Sequence, residues 1–227
     1  MRKILPVCGF LLCLASSGLV AQSVSLSLEA GVSATRLATP ENHWGSRAGY
    51  LLGASASIKL TSWLTIQAGV RFHEKGAAVP DTFEMRIRYL EFPVLLRLGV
   101  GRAAWPIRPL FTFGVVQATE LSCTGQELPP TLNQGSAAAM RPFDCVSDRT
   151  DLWDRGVIAG AGVELRLGPL RAALLGERTV GTHNIASGYP GGFPIHNQAT
   201  SLVLSIAVPI WERRPSNPRQ QRTGTAP

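Results

Sequence analysis

Lysine is scarce in this chain: of 22 basic residues only Lys3, Lys59 and Lys75 are lysines. A surface that faces water is normally covered by long charged side chains with lysine prominent among them. The shortage argues against an ordinary soluble domain. Apart from the N-terminal leader, no apolar run approaches the ~18 residues that a membrane-spanning helix needs. The histidines His43, His73, His183 and His196 fall in four separate segments without paired ligand spacing, so no metal site is expected. The segment Gly188 to Phe193 lacks the strand-to-helix setting of a phosphate-binding loop, and no cofactor is expected. The formal charge of +7 is scattered rather than gathered on a basic helix, which sets nucleic acid aside as a partner.

What is present begins with an address. Arg2 and Lys3 precede the apolar stretch Ile4 to Leu14, and small residues follow to Ala21. That order is a secretory signal peptide over residues 1–21, cut after Ala21, with Gly18 as a second candidate. Cys8 and Cys13 leave with it. Cys123 and Cys145 remain in one polar segment of an exported chain, which predicts a disulfide. It would close a loop of about 22 residues, worth roughly 3 kcal/mol on the loop-entropy account.

The mature chain alternates with a period of two, the signature of strands. Val24, Leu26, Leu28, Ala30, Val32 and Ala34 oppose Ser25, Ser27, Glu29, Gly31 and Ser33. The same alternation recurs over Tyr50–Leu60, Leu64–His73, Gly156–Leu167, Leu170–Thr182 and Ser201–Ile210, and a further strand is read over Arg108–Thr119. Over Glu84–Leu98 the apolar parity changes, from Met85, Ile87 and Tyr89 to Leu90, Phe92, Val94, Leu96 and Leu98. A bulge near Tyr89-Leu90 would account for the change, and Pro93 predicts a gap in a ladder. The connections 61–63, 99–106 and 168–169 are short, whereas 36–48, 74–83, 120–154 and 183–198 are long. Outer-membrane barrels have short periplasmic turns and long external loops.

These features predict an all-β fold: an eight-stranded antiparallel transmembrane β-barrel over residues 22–211, with a basic periplasmic tail over 212–227. Alternation alone leaves open which face is outside. The polar face is rich in Gly, Ser and Ala with scattered charges, which suits a crowded interior and places the apolar face against lipid. Trp63, Trp105 and Trp211 then form an interface girdle at the turn end. Arg178 breaks the pattern, lying on the apolar parity of its strand, and is expected near the external interface where such a charge costs little. The interior charge set is Glu29, Lys59, Arg71, Arg86, Arg88, Glu91, Arg97, Glu164, Arg166, Arg171 and Glu177. With so few strands it is read as a salt-bridged plug, because unpaired charges there would be expensive.

The run Arg-Tyr-Leu-Glu-Phe-Pro-Val-Leu-Leu-Arg-Leu-Gly at 88–99 resembles the central strand of the bacterial outer membrane protein β-barrel domain family, the porin-like group that includes PorT-type proteins. The segment Gly156 to Ile185 is similar to a later hairpin of the same family, with its Gly-rich strand and short Gly turn. The resemblance covers most of residues 22–211 and implies an outer-membrane location without an assigned activity. The chain departs from it after Trp211, where the family commonly ends on an aromatic strand. Lipid A deacylases, also small barrels, place a serine and a histidine close together beside an acid. Here His183, Ser187 and Glu177 lack that spacing, and Glu177 and His183, on the same strand parity, would lie roughly 20 Å apart if extended. No catalytic residue is expected. The role anticipated is a non-enzymatic structural or interaction protein, with outer-membrane lipids and an extracellular or periplasmic protein as partners. A narrow channel, an accessory subunit of a secretion machine and a lipid-modifying enzyme are the alternatives.

Overall fold

The computed structural model describes residues 22–38, 45–79, 83–102, 105–127, 141–144, 152–185 and 194–212. The signal segment 1–21 and the tail beyond Glu212 lie outside the described residues. The strands are β1 (Ser23–Ala38), β2 (Arg47–Lys59), β3 (Leu64–Val79), β4 (Phe83–Gly99), β5 (Ile107–Glu127), β6 (Arg141–Asp144), β7 (Trp153–Leu167), β8 (Leu170–Gly181) and β9 (His196–Glu212). Each of β1, β2, β3, β4, β5, β7, β8 and β9 pairs antiparallel with the next, and β9 returns to β1. The result is a closed eight-stranded ring, which removes every strand edge from the bilayer. β6 stands apart, pairing with the outer end of β5 from Thr124 to Glu127.

Short turns close one end. Gly168 at φ 62° occupies the first central position of the two-residue turn between β7 and β8, and Pro169 fixes the next φ. Ser23 of β1 meets Glu212 of β9 at this same end. It is the periplasmic end by loop asymmetry.

The apolar parity faces outward. Leu26, Leu28 and Val32 of β1 and Leu202, Leu204 and Ile206 of β9 are exposed, while Ser25, Ser27, Glu29 and Ser201 are buried. From Leu26 to Ala34 this band covers about 20 Å of membrane normal at ~3.3 Å rise and ~40° tilt. Strands of 16 to 21 residues, as β1, β3, β4 and β5 are, exceed the ~9–11 that a crossing requires. The barrel wall therefore continues beyond the bilayer on the external side. Strand structure replaces much of what the sequence reads as loop at 74–83, since β3 runs to Val79 and β4 begins at Phe83. Gly76 makes this possible: its φ is 149°, and a Cβ there would lie 1.9 Å from the Met85 carbonyl oxygen.

The expected change of face in β4 does not occur. Met85, Ile87, Tyr89, Glu91, Leu95 and Arg97 all point inward and are buried. A register shift does fall at Arg88/Tyr89, but the extra residue is Leu121 of β5, because Arg88 pairs with Ser122 and Tyr89 with Glu120. The cause is environmental. Outside the bilayer the wall meets water, so the polarity of β4 inverts while its backbone parity stays constant, and only β5 changes face, at Leu121. Leu37, Ala77, Met85, Ile87, Tyr89, Ala118, Cys123 and Ile185 form an apolar cluster inside this outer section. Pro93 has the effect expected of it, since the β3 ladder passes from Ala68–Val94 to Arg71–Glu91 with the pairs between them missing.

Candidate functional site: the lumen and its outer rim

The lumen is filled in layers. In the middle, Arg71 of β3 donates from Nε to Glu29 Oε2 of β1 at 2.6 Å and from Nη1 to Glu177 Oε2 of β8 at 2.8 Å. β3 and β8 are four strands apart in either direction round the ring, so this one guanidinium joins opposite walls. Ser55 Oγ donates to Glu29 Oε1 at 2.8 Å, and Gln67 Nε2 donates to the same oxygen. All five side chains are buried. Two carboxylates facing one guanidinium would leave excess charge. Arg97, 8 % exposed, lies within electrostatic reach of both and balances the layer.

The layer above draws on β1 and β3 again and adds β4, β7 and β9. Lys75 Nζ pairs with Glu91 Oε1 at 2.7 Å and lies 5.2 Å from the centre of the Tyr89 ring, a cation–π contact. Asn197 of β9 donates from Nδ2 to the Tyr89 hydroxyl of β4 at 2.9 Å and to Asp154 Oδ2 of β7 at 2.8 Å. β4 and β9 also lie on opposite walls. Ser33 Oγ is 3.2 Å from His73 Nε2, and His73 Nδ1 is 3.2 Å from Glu91 Oε1. Serine, histidine and acid stand in the order of a nucleophilic relay. The surroundings oppose that use. Ser33 is 6 % exposed, and a reacting carbonyl must come within ~3–3.5 Å of a nucleophile. Glu91 is also neutralised by Lys75. The group is a satisfied polar core on β1, β3 and β4, of which only Glu91 belongs to the interior set read from the sequence.

At the periplasmic mouth Arg108 Nε pairs with Glu164 Oε1 at 2.8 Å, and Arg171 with the more exposed Glu212 at 3.7 Å. A cavity of about 30 Å³ lies here, lined by Lys59, Arg97, Arg108, Glu164 and Arg171 among others. It has room for about one water. Arg97 lines that space, and its Nε and Nη2 have no hydrogen-bond partner among the described residues.

Of the interior set read from the sequence, Glu29, Arg71, Glu91, Arg97 and Glu177 point into the lumen, and Lys59, Glu164 and Arg171 lie at its mouth. Arg166 is exposed at the rim. Arg86 and Arg88 are corrected: they point outward on the external section, with side chains 42 % and 45 % exposed. Only a change of face in β4 would turn them inward, and none occurs. On the external section they approach Glu74 at 3.7 and 3.5 Å, and the more buried Arg47 reaches the same carboxylate at 3.0 Å. Arg178 also faces outward, donating from Nη1 to Thr200 Oγ1 at 2.7 Å and from Nη2 to Gln198 Oε1. Trp63, Trp105 and Trp211 are exposed near the short-turn end. Glu177 is held by Arg71, away from His183 at the external rim, and Ser187 and His43 lie outside the described residues. Cys123 is buried and disulfide-bonded, and Cys145 lies outside the described residues.

A closed ring with an apolar outer band and a charged, filled bore defines a transmembrane β-barrel. The chain belongs to the outer membrane protein beta-barrel domain family, which matches residues 20–177, and its place is the bacterial outer membrane. No curated protein matches it. Among solved structures it is similar to Neisserial surface protein A, at 9 % identity and TM-score 0.47 over 81 % of this chain and 96 % of that one. It is also similar to OprG of Pseudomonas aeruginosa, at 9 % identity and TM-score 0.45 over 85 % and 98 %. The outer membrane enzyme PagL is 17 % identical, with TM-score 0.38 over 79 % and 99 %.

Proposed function

We propose that this protein is a non-enzymatic outer-membrane barrel, closed to solutes by its own side chains, that acts as a structural and interaction element through its external section. The supporting observation is the Glu29–Arg71–Glu177 bridge, which spans the bore at 2.6 and 2.8 Å. The Tyr89–Asn197 contact at 2.9 Å crosses it a second time, with Tyr89 itself part of the apolar cluster. A hydrated ion cannot pass without breaking these contacts, and breaking a buried pair costs about 3–5 kcal/mol. What remains for function is the outside: the extended strands, β6 and the loops they carry, since loops on a rigid scaffold are the usual recognition surfaces.

Planar-bilayer recording of the purified full chain tests this. The expected result is no resolved conductance steps. Regular steps from the wild-type protein would overturn the closed-lumen reading in favour of a narrow channel.

A further inference from the structure

The outward wall carries two groups of arginines at the level where the apolar band ends, and they are satisfied differently. On β2, β3 and β4, Arg47, Arg86 and Arg88 surround Glu74, and Glu84 accepts from Arg47 at 3.1 Å. On β1 and β8, Arg36 and Arg178 converge on a neutral group. Arg36 Nε and Nη2 donate to Gln198 Oε1 at 3.1 and 3.0 Å, and Arg178 Nη2 donates to that same oxygen. Among the described residues no carboxylate forms an ion pair with either guanidinium.

Two like charges held together on one amide oxygen repel each other, and the arrangement is favourable when an anion completes it. Position decides which anion. Arg36 directly follows the apolar outward run ending at Val32 and Ala34, and Arg178 follows Leu174 and Gly176 on β8. Both therefore stand at the outer boundary of the hydrocarbon, where lipid headgroups begin. Two guanidiniums present a fork of donors that matches a phosphate better than a carboxylate-free surface of lysines would. Arg36 is exposed and Thr200 adds a hydroxyl beside Arg178 at 2.7 Å.

We propose that Arg36 and Arg178, bridged by Gln198, form a site for the phosphate of a phosphorylated lipid headgroup in the outer leaflet. The neighbouring Leu202 and Leu204, exposed on β9 below Thr200, would lie along its acyl chains. The Arg47–Glu74–Arg86–Arg88 group does not serve the same purpose, because its own carboxylates already occupy the guanidiniums.

Native mass spectrometry of the full chain in neutral detergent tests the assignment, with diphosphorylated lipid A as the probe and its dephosphorylated form as the control. The acyl chains are the same in both, so only the phosphates differ. Wild type should retain the phosphorylated form preferentially. The Arg36→Gln/Arg178→Gln variant should lose about tenfold in apparent affinity for it, the equivalent of one charge-assisted hydrogen bond. An Arg86→Gln/Arg88→Gln variant should bind as wild type does. Equal retention of both lipid forms, or no loss in the Arg36/Arg178 variant while its heat-shifted gel band shows a folded barrel, would overturn the proposal. Displacement of the lipid by equimolar inorganic phosphate would also overturn it, because the site would then take a free anion. If the Arg36/Arg178 variant fails to fold, Gln198→Leu removes the shared acceptor alone and must show the same selective loss.

Discussion

Replacing Arg71 with methionine removes a side chain that ties β3 to both β1 and β8. The side chain is 2 % exposed, so water cannot take its place freely. Glu29 keeps its donors Ser55 and Gln67, but Glu177 loses the guanidinium that holds both of its oxygens. Breaking a buried pair from one side typically costs about 3–5 kcal/mol, because a charge is left uncompensated. Arg97 lies close enough to both acids to recover part of that, which puts the expected loss near ~3 kcal/mol. The informative comparison is the triple variant Arg71→Met, Glu29→Gln, Glu177→Gln. It removes the charges together and should return to within ~1–2 kcal/mol of wild type, since replacing an entire buried ion group is often close to neutral. Urea unfolding in phosphatidylcholine vesicles, followed by tryptophan fluorescence and by gel mobility without boiling, measures both. The reasoning fails if Arg71→Met lies within ~1 kcal/mol of wild type, or if the triple variant is no more stable than the single one.

Two further outcomes are expected. Gly114 faces Leu95 across the β4–β5 ladder, and a Cβ there would meet the Val94 carbonyl oxygen at 2.0 Å, so Gly114→Ala should cost about 1–3 kcal/mol of overpacking and weaken the heat-resistant folded band. Gly176→Ala, whose nearest contact would be 3.7 Å, should leave that band unchanged, and equal behaviour of the two variants would contradict the close approach. The mature chain should show no thiol to an alkylating reagent until it is reduced, and reduction should cost roughly 3 kcal/mol if Cys145 is the partner of Cys123. Labelling of unreduced, denatured protein would refute the disulfide.

The strands were legible wherever a wall separates lipid from a crowded bore. In β1, β2, β7, β8 and β9 one parity must be apolar along the whole crossing, and alternation in the sequence shows it directly. Alternation is blind to the medium outside the wall. Where β4 leaves the bilayer, Met85, Ile87 and Tyr89 keep their inward direction while their surroundings change from a charged bore to an apolar cap. A sequence reading then infers a backbone defect and turns Arg86 and Arg88 to the wrong side. Ending β3 at His73 has the same origin: Glu74 looks like a break in the pattern, although it points outward into the arginine group and leaves Lys75 facing Glu91.

The partners across the bore were beyond the sequence for a different reason. Parity says that Arg71 and Glu177 face inward, but not that they meet. Meeting depends on which strands end up opposite after closure and on how far each ladder is staggered, and those follow from the ring as a whole. The same reasoning explains why single departures from alternation are informative. Arg178 is a charge on an otherwise apolar parity, so either the strand is irregular there or the environment is. The β8 ladder with β9 runs without a shift through Arg178–Thr200, which leaves the environment as the cause. A boundary between hydrocarbon and anionic headgroups is the environment that makes an outward arginine favourable, and Arg36, arriving at the same Gln198 from the other side, places a second one there.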